Sequence, residues 1–128
     1  MYISELSDGA RCQKAVETPV FDKNYDVIIC GLGTSGGMAA IFAAENGLSV
    51  LGIEAFNCVG GTTTIGGVDG HYFSIRGGRC VLVDEAVSEF EKSHTHNPME
   101  ARKLVEEEQI VKSGATVLYE SSVIGVYL

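Results

Sequence analysis

The first sustained apolar run is Tyr25-Asp26-Val27-Ile28-Ile29-Cys30, which is short, β-branched and bounded by Gly31. It predicts a parallel strand over 26–30, apolar on both faces and therefore buried. An Ala-rich block, Met38 to Asn46, predicts a helix, and Asn46-Gly47 is its stop signal. Residues 48–53 predict a second strand with Glu54 at its C-terminal end. The stretch from Asp26 to Ala55 is thus a β-α-β unit of minimal length. Asn57 to Gly78 is rich in Gly and Thr and reads as a loop. Helical spacing returns over 81–92, where Val83, Ala86, Val87 and Phe90 fall at i, i+3, i+4 and i+7. Asn97 as N-cap, Pro98 at the first helical position and Glu100 at the third predict a further helix. It runs to about Ser113, stops at Gly114, and has Leu104, Val105 and Val111 as its apolar face. Residues 115–120 predict a third strand and 123–128 a fourth. Residues 1–24 show no clean period and are expected to form an N-terminal arm over a domain occupying 25–128.

Composition narrows the function classes. The 128 residues carry 9 Lys+Arg and 17 Asp+Glu, a formal net charge of −8, with 45% hydrophobic residues. That hydrophobicity is too high for a disordered chain, and the acidic balance argues against nucleic acid as a partner. Of the 16 glycines, 13 fall between Gly31 and Gly78, with no Gly-X-Y period. Val27 to Ala44 carries no charge, but its centre holds Gly31, Gly33, Thr34, Ser35, Gly36 and Gly37, so no membrane span is expected. The four cysteines, at 12, 30, 58 and 80, form no CxxC or Cys/His cluster. No metal site is expected, and the thiols read as reduced and partly buried, as in a cytoplasmic protein.

The chemistry-bearing pattern is Gly31-x-Gly33-x-x-Gly36, which follows a strand, opens a helix, and is answered by Glu54 at the end of the next strand. Gly31 permits the tight turn, Gly33 lets backbone approach a pyrophosphate, and Gly36 allows helix to pack on strand. Amides at the helix start, about Thr34 to Gly37, face the phosphates with the positive end of the helix dipole behind them. Glu54 can accept hydrogen bonds from ribose hydroxyls and would repel a 2′-phosphate.

A second glycine loop follows in Ala55-Phe56-Asn57-Cys58-Val59-Gly60-Gly61-Thr62-Thr63-Thr64. With Asp26 before the first glycines, small residues Ala39, Ala40 and Ala43 along the helix, and Gly47 before the second strand, the chain resembles the FAD-dependent oxidoreductases with a glutathione-reductase-type Rossmann fold. More narrowly it resembles the fumarate-reductase-related flavoproteins, over about residues 25–128 and most specifically over 26–64. The resemblance implies an α/β fold: part of a Rossmann-type FAD/NAD(P)-binding domain, with an incomplete parallel sheet and the start of a β-meander at 123–128. It implies FAD as cofactor, its ADP half held by Gly31, Gly33, Thr34, Ser35, Gly36, Gly37, Glu54 and Ala55. Gly60 would belong to the same cofactor loop, Gly61, Thr62 and Thr63 would donate to phosphate and ribityl groups, and backbone near Val123 would meet the adenine edge. No catalytic acid or base is expected in this stretch. The family often has a basic residue after the acid, where this chain has Ala55-Phe56.

Two other readings remain at this point: the NAD-binding domain of a dehydrogenase, against which the Gly60-Gly61-Thr62 loop argues, and a non-catalytic flavin- or nucleotide-binding subunit. His71 reads as a surface or packing residue, or as a covalent flavin attachment without the motif that usually surrounds one. His94 and His96 read as surface loop, Cys58 as a spectator thiol, Arg76 and Arg79 as a solvated pair or an anion contact, and Glu106-Glu107-Glu108 as an exposed helix face. Of the five or so parallel strands that the resemblance implies, the sequence offers three, 26–30, 48–53 and 115–120, and strand 26–30, expected to be central, has an open far side. The expected partners are therefore the remainder of the same enzyme, as a further segment or a second chain, and a small-molecule substrate. Residues 1–128 alone are expected not to hold FAD tightly.

Overall fold

A computed structural model describes residues 2–15, 17, 20–68, 70–73 and 75–126. Strands β1 (Tyr2–Ser7) and β2 (Ala10–Ala15) form an antiparallel hairpin, so the first part of the arm is regular structure. The turn is Asp8-Gly9, with φ of 51° and 77°. Positive φ at both central positions is what a two-residue hairpin turn needs, and Asp-Gly is the sequence signal for it.

The remainder is a three-stranded parallel sheet with helices on one face. Its strands are β3 (Val27–Cys30), β4 (Val50–Ile53) and β5 (Thr116–Leu118), in the order β3-β4-β5. Helix α1 (Thr34–Glu45) connects β3 to β4, while α2 (Arg79–His94) and α3 (Pro98–Lys112) lie between β4 and β5. The chain thus forms an incomplete Rossmann-like α/β unit. β4 is the central strand, and β3, expected in the centre, is an edge of the sheet among the described residues.

Register decides which face of each strand is covered. Val27 pairs with Val50, Ile29 with Gly52, and Gly52 with Val117, and this row faces the helices. The alternate row, Ile28 with Leu51 and Cys30 with Ile53, faces the other way. Ile28 is 55% exposed and Leu118 48% exposed. The reading of 26–30 as buried on both faces is therefore corrected: period-2 geometry sends Ile28 and Cys30 to a face that no described layer covers.

One continuous core joins the covered face to the helices, from Leu32, Ala40, Ile41, Val50 and Val59 to Val83, Val87, Ala101, Val105, Ile110 and Ala115. Gly52 makes room for it, since a Cβ there would lie 2.6 Å from a Leu32 methyl carbon. The α2 face matches its spacing, with Val83 and Val87 buried and Ala86 and Phe90 packed beside them. Asn97 caps α3 as expected, accepting from Met99 N–H (3.0 Å) and Glu100 N–H (3.3 Å). Glu100 does not complete a capping box but pairs with Lys103 at 2.6 Å.

Three expectations are corrected. Residues 121–126 carry no strand, and 127–128 lie outside the described residues, so the start of a β-meander is not formed over 123–126. A strand needs a hydrogen-bonded neighbour, and Val123 to Val126 have none among the described residues. The apolar face of α3 is Ala101, Val105 and Ile110, while Leu104 and Val111 are exposed. Cys12 and Cys30 are exposed rather than partly buried; all four cysteines are free.

Ile110 and Leu104 separate the two readings of α3. Ile110→Ala is expected to destabilise the fold by about 2–5 kcal/mol, and Leu104→Ala, at a site 52% exposed, by less than about 1 kcal/mol. Denaturant unfolding of both variants measures the contrast.

Candidate functional site

The turn between β3 and α1 is held from three sides. Gly31 takes φ +97°, and its N–H donates to Ile53 O at 2.7 Å, continuing the sheet one step past Cys30. Leu32 drives its side chain fully into the core, which leaves its N–H at the turn. That N–H donates to Glu54 Oε2 at 2.7 Å. Gly36 then sits where a Cβ would collide with the Gly31 carbonyl oxygen, so the helix can begin this close to the strand only with glycine there.

The second glycine loop closes onto the first. Gly60 N–H donates to Leu32 O at 2.8 Å, and Gly33 and Gly60 form a parallel bridge. Thr34 Oγ1 donates to Gly60 O at 3.0 Å, and Thr63 Oγ1 reaches the same carbonyl at 3.0 Å. Gly61 takes φ +52°, and a Cβ on it would come within 2.9 Å of Gly33 Cα. The two loops, well separated in sequence, thus form one seam of bare backbone.

That seam presents unspent donors. Among the described residues the N–H groups of Ser35 and Gly36, at the head of α1, have no acceptor, nor do those of Gly61 and Thr62. Orphan amides at a helix start, with the helix dipole behind them, form an anion site. Thr62 is exposed and its hydroxyl is unengaged, whereas the hydroxyls of Thr34 and Thr63 are spent on Gly60.

Glu54 is 6% exposed. Its Oε2 takes Leu32 N–H, and its Oε1 takes Phe56 N–H at 3.0 Å. A carboxylate has about four acceptor positions, so both oxygens keep capacity for further donors. Beside it a cleft of about 270 Å³ is lined by Cys30, Gly31, Ile53, Glu54, Ala55, Ser121, Ser122 and Val123. The structure therefore brings Gly31, Glu54, Ala55 and Val123 together at one end of the seam, although Val123 follows Glu54 only after two intervening helices and a strand. Ser121 and Ser122, which the sequence did not single out, share that lining. Ser121 N–H donates to Glu54 O at 3.0 Å, and Glu54 N–H donates to Leu118 O at 2.9 Å.

Asp26 lies at the far end of β3, where it accepts from Ser49 N–H (2.8 Å) and Ser49 Oγ (2.6 Å). These hydrogen bonds lower its pKa from the ordinary carboxylate value. Its role is to tie β3 to β4. Arg79 is a strut from α2 to Glu45 (2.6 Å) and Gln109 (3.1 Å), so it is no solvated pair with the exposed Arg76. His71 is exposed, and the ring of His94 stacks on Phe90 with centroids 4.2 Å apart. Among the described residues no group of His, Cys, Asp and Glu is arranged to hold a metal ion, and no helix is long and apolar enough to cross a membrane.

The run Glu106-Glu107-Glu108 is not a uniform exposed face. Glu108 is exposed and pairs with Lys112 at 2.7 Å, and Glu107 accepts Tyr119 OH at 2.8 Å. Glu106 is 1% exposed, wedged between α3 and α1. Gly37 is the residue that admits it, since a Cβ there would collide with Glu106 Oε1. Burial raises its pKa from 4.5 to about 7, against the opposing pull of Arg102.

A family model described as FAD dependent oxidoreductase matches residues 26–128. The chain belongs to the FAD dependent oxidoreductase family. Among solved structures it is similar to "Crystal structure of Thermovibrio ammonificans THI4", with 24% identity and a TM-score of 0.49. That similarity covers 74% of this chain and 38% of the other, so the chain spans little more than a third of the length of that structure. No curated protein matches it. The matched span of the FAD dependent oxidoreductase model contains both glycine loops, Glu54 and Val123.

The close approach at Gly36 and the burial of Glu106 each have a measurable consequence. Gly36→Ala is expected to lower the melting temperature by several degrees, about 1–3 kcal/mol. Gly77→Ala, at a site with nothing within 4 Å, should leave it within about 0.5 kcal/mol of wild type. For Glu106, the folded state binds its proton more tightly than the unfolded chain, with a pKa of about 7 against 4.5. Its stabilising contribution is therefore full below about pH 4.5 and lost as pH rises through about 7. Stability profiles of wild type and Glu106→Gln should diverge across that window, with the variant up to about 3 kcal/mol more stable at alkaline pH.

Proposed function

We propose that residues 25–128 form the part of a flavin-dependent oxidoreductase that holds the ADP half of FAD. The observation that carries this reading is the seam of acceptor-free amides at Ser35, Gly36, Gly61 and Thr62, with the Glu54 carboxylate at one end. Gly61 lets the second loop's backbone approach Gly33 without a side chain between them, and Thr34 ties the first loop to the second through the Gly60 carbonyl, which Thr63 also bonds from within its own loop. In this reading the diphosphate sits against the amides at the head of α1, near Gly33 to Gly37. The adenosine ribose faces the free acceptor positions of Glu54. The adenine lies in the cleft beside Ala55, Ser121 and Val123. A bound flavin supplies hydride chemistry, which the protein orients and tunes. Burial of Glu54 makes its charge felt strongly, which disfavours a ribose bearing a 2′-phosphate.

The partners follow from surface that this stretch leaves bare. Ile28 and Leu118 lie on the uncovered sheet face, and β3 is an open edge. A further polypeptide portion of the enzyme, in the same chain or a second one, would cover both and carry the substrate site. Residues 1–128 by themselves then bind FAD weakly and release it quickly.

Titration of purified 1–128 with 5′-ADP, FAD and a 2′-phosphorylated ADP tests this, read by calorimetry and by the flavin absorbance retained after desalting. Weak binding of 5′-ADP and FAD is expected, with the 2′-phosphorylated nucleotide at least about tenfold weaker. Glu54→Gln places an amide donor against the Leu32 or Phe56 N–H and should weaken 5′-ADP by about tenfold or more. Equal affinity for the two nucleotides, or insensitivity to Glu54→Gln, would sink the placement of the ribose. Stoichiometric, slowly released FAD would sink the claim that the rest of the enzyme is needed.

A further inference from the structure

Among the described residues two acids are buried, Glu54 and Glu106. Glu54 belongs to the nucleotide seam; Glu106 does not. Its carboxyl lies behind the first turn of α1, filling the space that a Gly37 side chain would take. Gly37 N–H closes that turn onto Gly33 O at 2.9 Å. Neither carboxyl oxygen of Glu106 has a hydrogen-bond partner among the described residues. Arg102 Nη1 stands 4.0 Å from Oε2, but the Arg102 guanidinium is bonded to Asp84. The charged groups facing Glu106 are therefore Arg102 from its own helix and Asp84 from α2. α1 offers none, since its one ionisable residue, Glu45, is at the opposite end, and residues 60–64 are uncharged.

The acceptor-free amides of Ser35 and Gly36 belong to the same helix head that Glu106 backs. A diphosphate at those amides and a carboxylate behind Gly37 would draw on one positive helix end within about one turn of each other. Two like charges that close, one of them cut off from water, do not both persist readily. The cheaper change is at the acid, which lacks any hydrogen bond to its charged form.

We propose that Glu106 is a proton-linked control on the nucleotide site: its carboxylate takes a proton from solvent when the diphosphate binds, and ionised Glu106 weakens that binding. The proposal rests on the reading of the β3–α1 turn as a dinucleotide site. Linkage makes the effect reciprocal, so bound nucleotide raises the proton affinity of Glu106 as much as the proton raises nucleotide affinity. Affinity is then highest where Glu106 is already neutral and falls as pH rises through neutrality. Glu106→Gln keeps the shape and cannot ionise.

Calorimetric titration of the full chain with 5′-ADP and with FAD tests this, at about pH 6 and about pH 8.5, in buffers of differing ionisation enthalpy. Wild type is expected to bind both ligands about thirtyfold more weakly at the higher pH, taking up close to one proton per ligand there. Glu106→Gln should keep its low-pH affinity at both values and lose that uptake. The same pH dependence in both proteins, or wild-type binding at high pH without proton uptake, overturns the proposal and leaves the nucleotide site standing. Failure of both ligands to bind either protein at any pH overturns the nucleotide reading, and this proposal with it. If circular dichroism shows Glu106→Gln to be unfolded, the wild-type proton count decides alone.

Discussion

The structure turns on one buried carboxylate. Glu54 takes the Leu32 N–H from the β3–α1 turn and the Phe56 N–H from the segment after β4. Its own backbone N–H and C=O bond to Leu118 and Ser121. A single residue thus gathers the end of β4, the glycine turn, and the chain leaving β5. Without it, Leu32 N–H would be a buried donor with no partner, a penalty of about 1–3 kcal/mol. The turn is held open not by its glycines alone but by an acid on the next strand, with α1 between them in sequence.

The glycines act by what they exclude. Gly36 lets α1 start against the Gly31 carbonyl, Gly61 lets the second loop touch Gly33, and Gly52 clears space for Leu32. Gly36 and Gly61 place backbone where a side chain would otherwise stand. The result at the two loops is a surface of N–H groups without acceptors among the described residues. The same need for close approach admits Glu106 behind Gly37, so the acceptor-free amides at the head of α1 have an acid at their back.

Much of this was legible in the chain. The run Val27–Cys30, the glycine spacing, the Ala-rich α1 and Glu54 at the end of β4 determined a strand, a turn, a helix and a second strand, because period and φ requirements are local properties of those residues. Asn97 and Pro98 marked the start of α3 for the same reason. The Asp8-Gly9 turn was equally local and was there to be read.

Only the tertiary structure decided which of several apolar or charged residues face inward. Leu104 and Val111 have helical spacing as good as that of Ile110, yet α3 turns Ile110 to the core. Three consecutive glutamates look alike until α1 packs against the first of them. The strand over 26–30 reads as apolar throughout, but which of its faces is covered depends on the layers around it, and Ile28 faces none among the described residues. Val123, Ile124 and Val126 have strand-forming side chains but no strand to pair with among the described residues, since pairing is a property of two segments and never of one. Sequence determines what each segment can do alone; burial, charge state and pairing belong to what it meets.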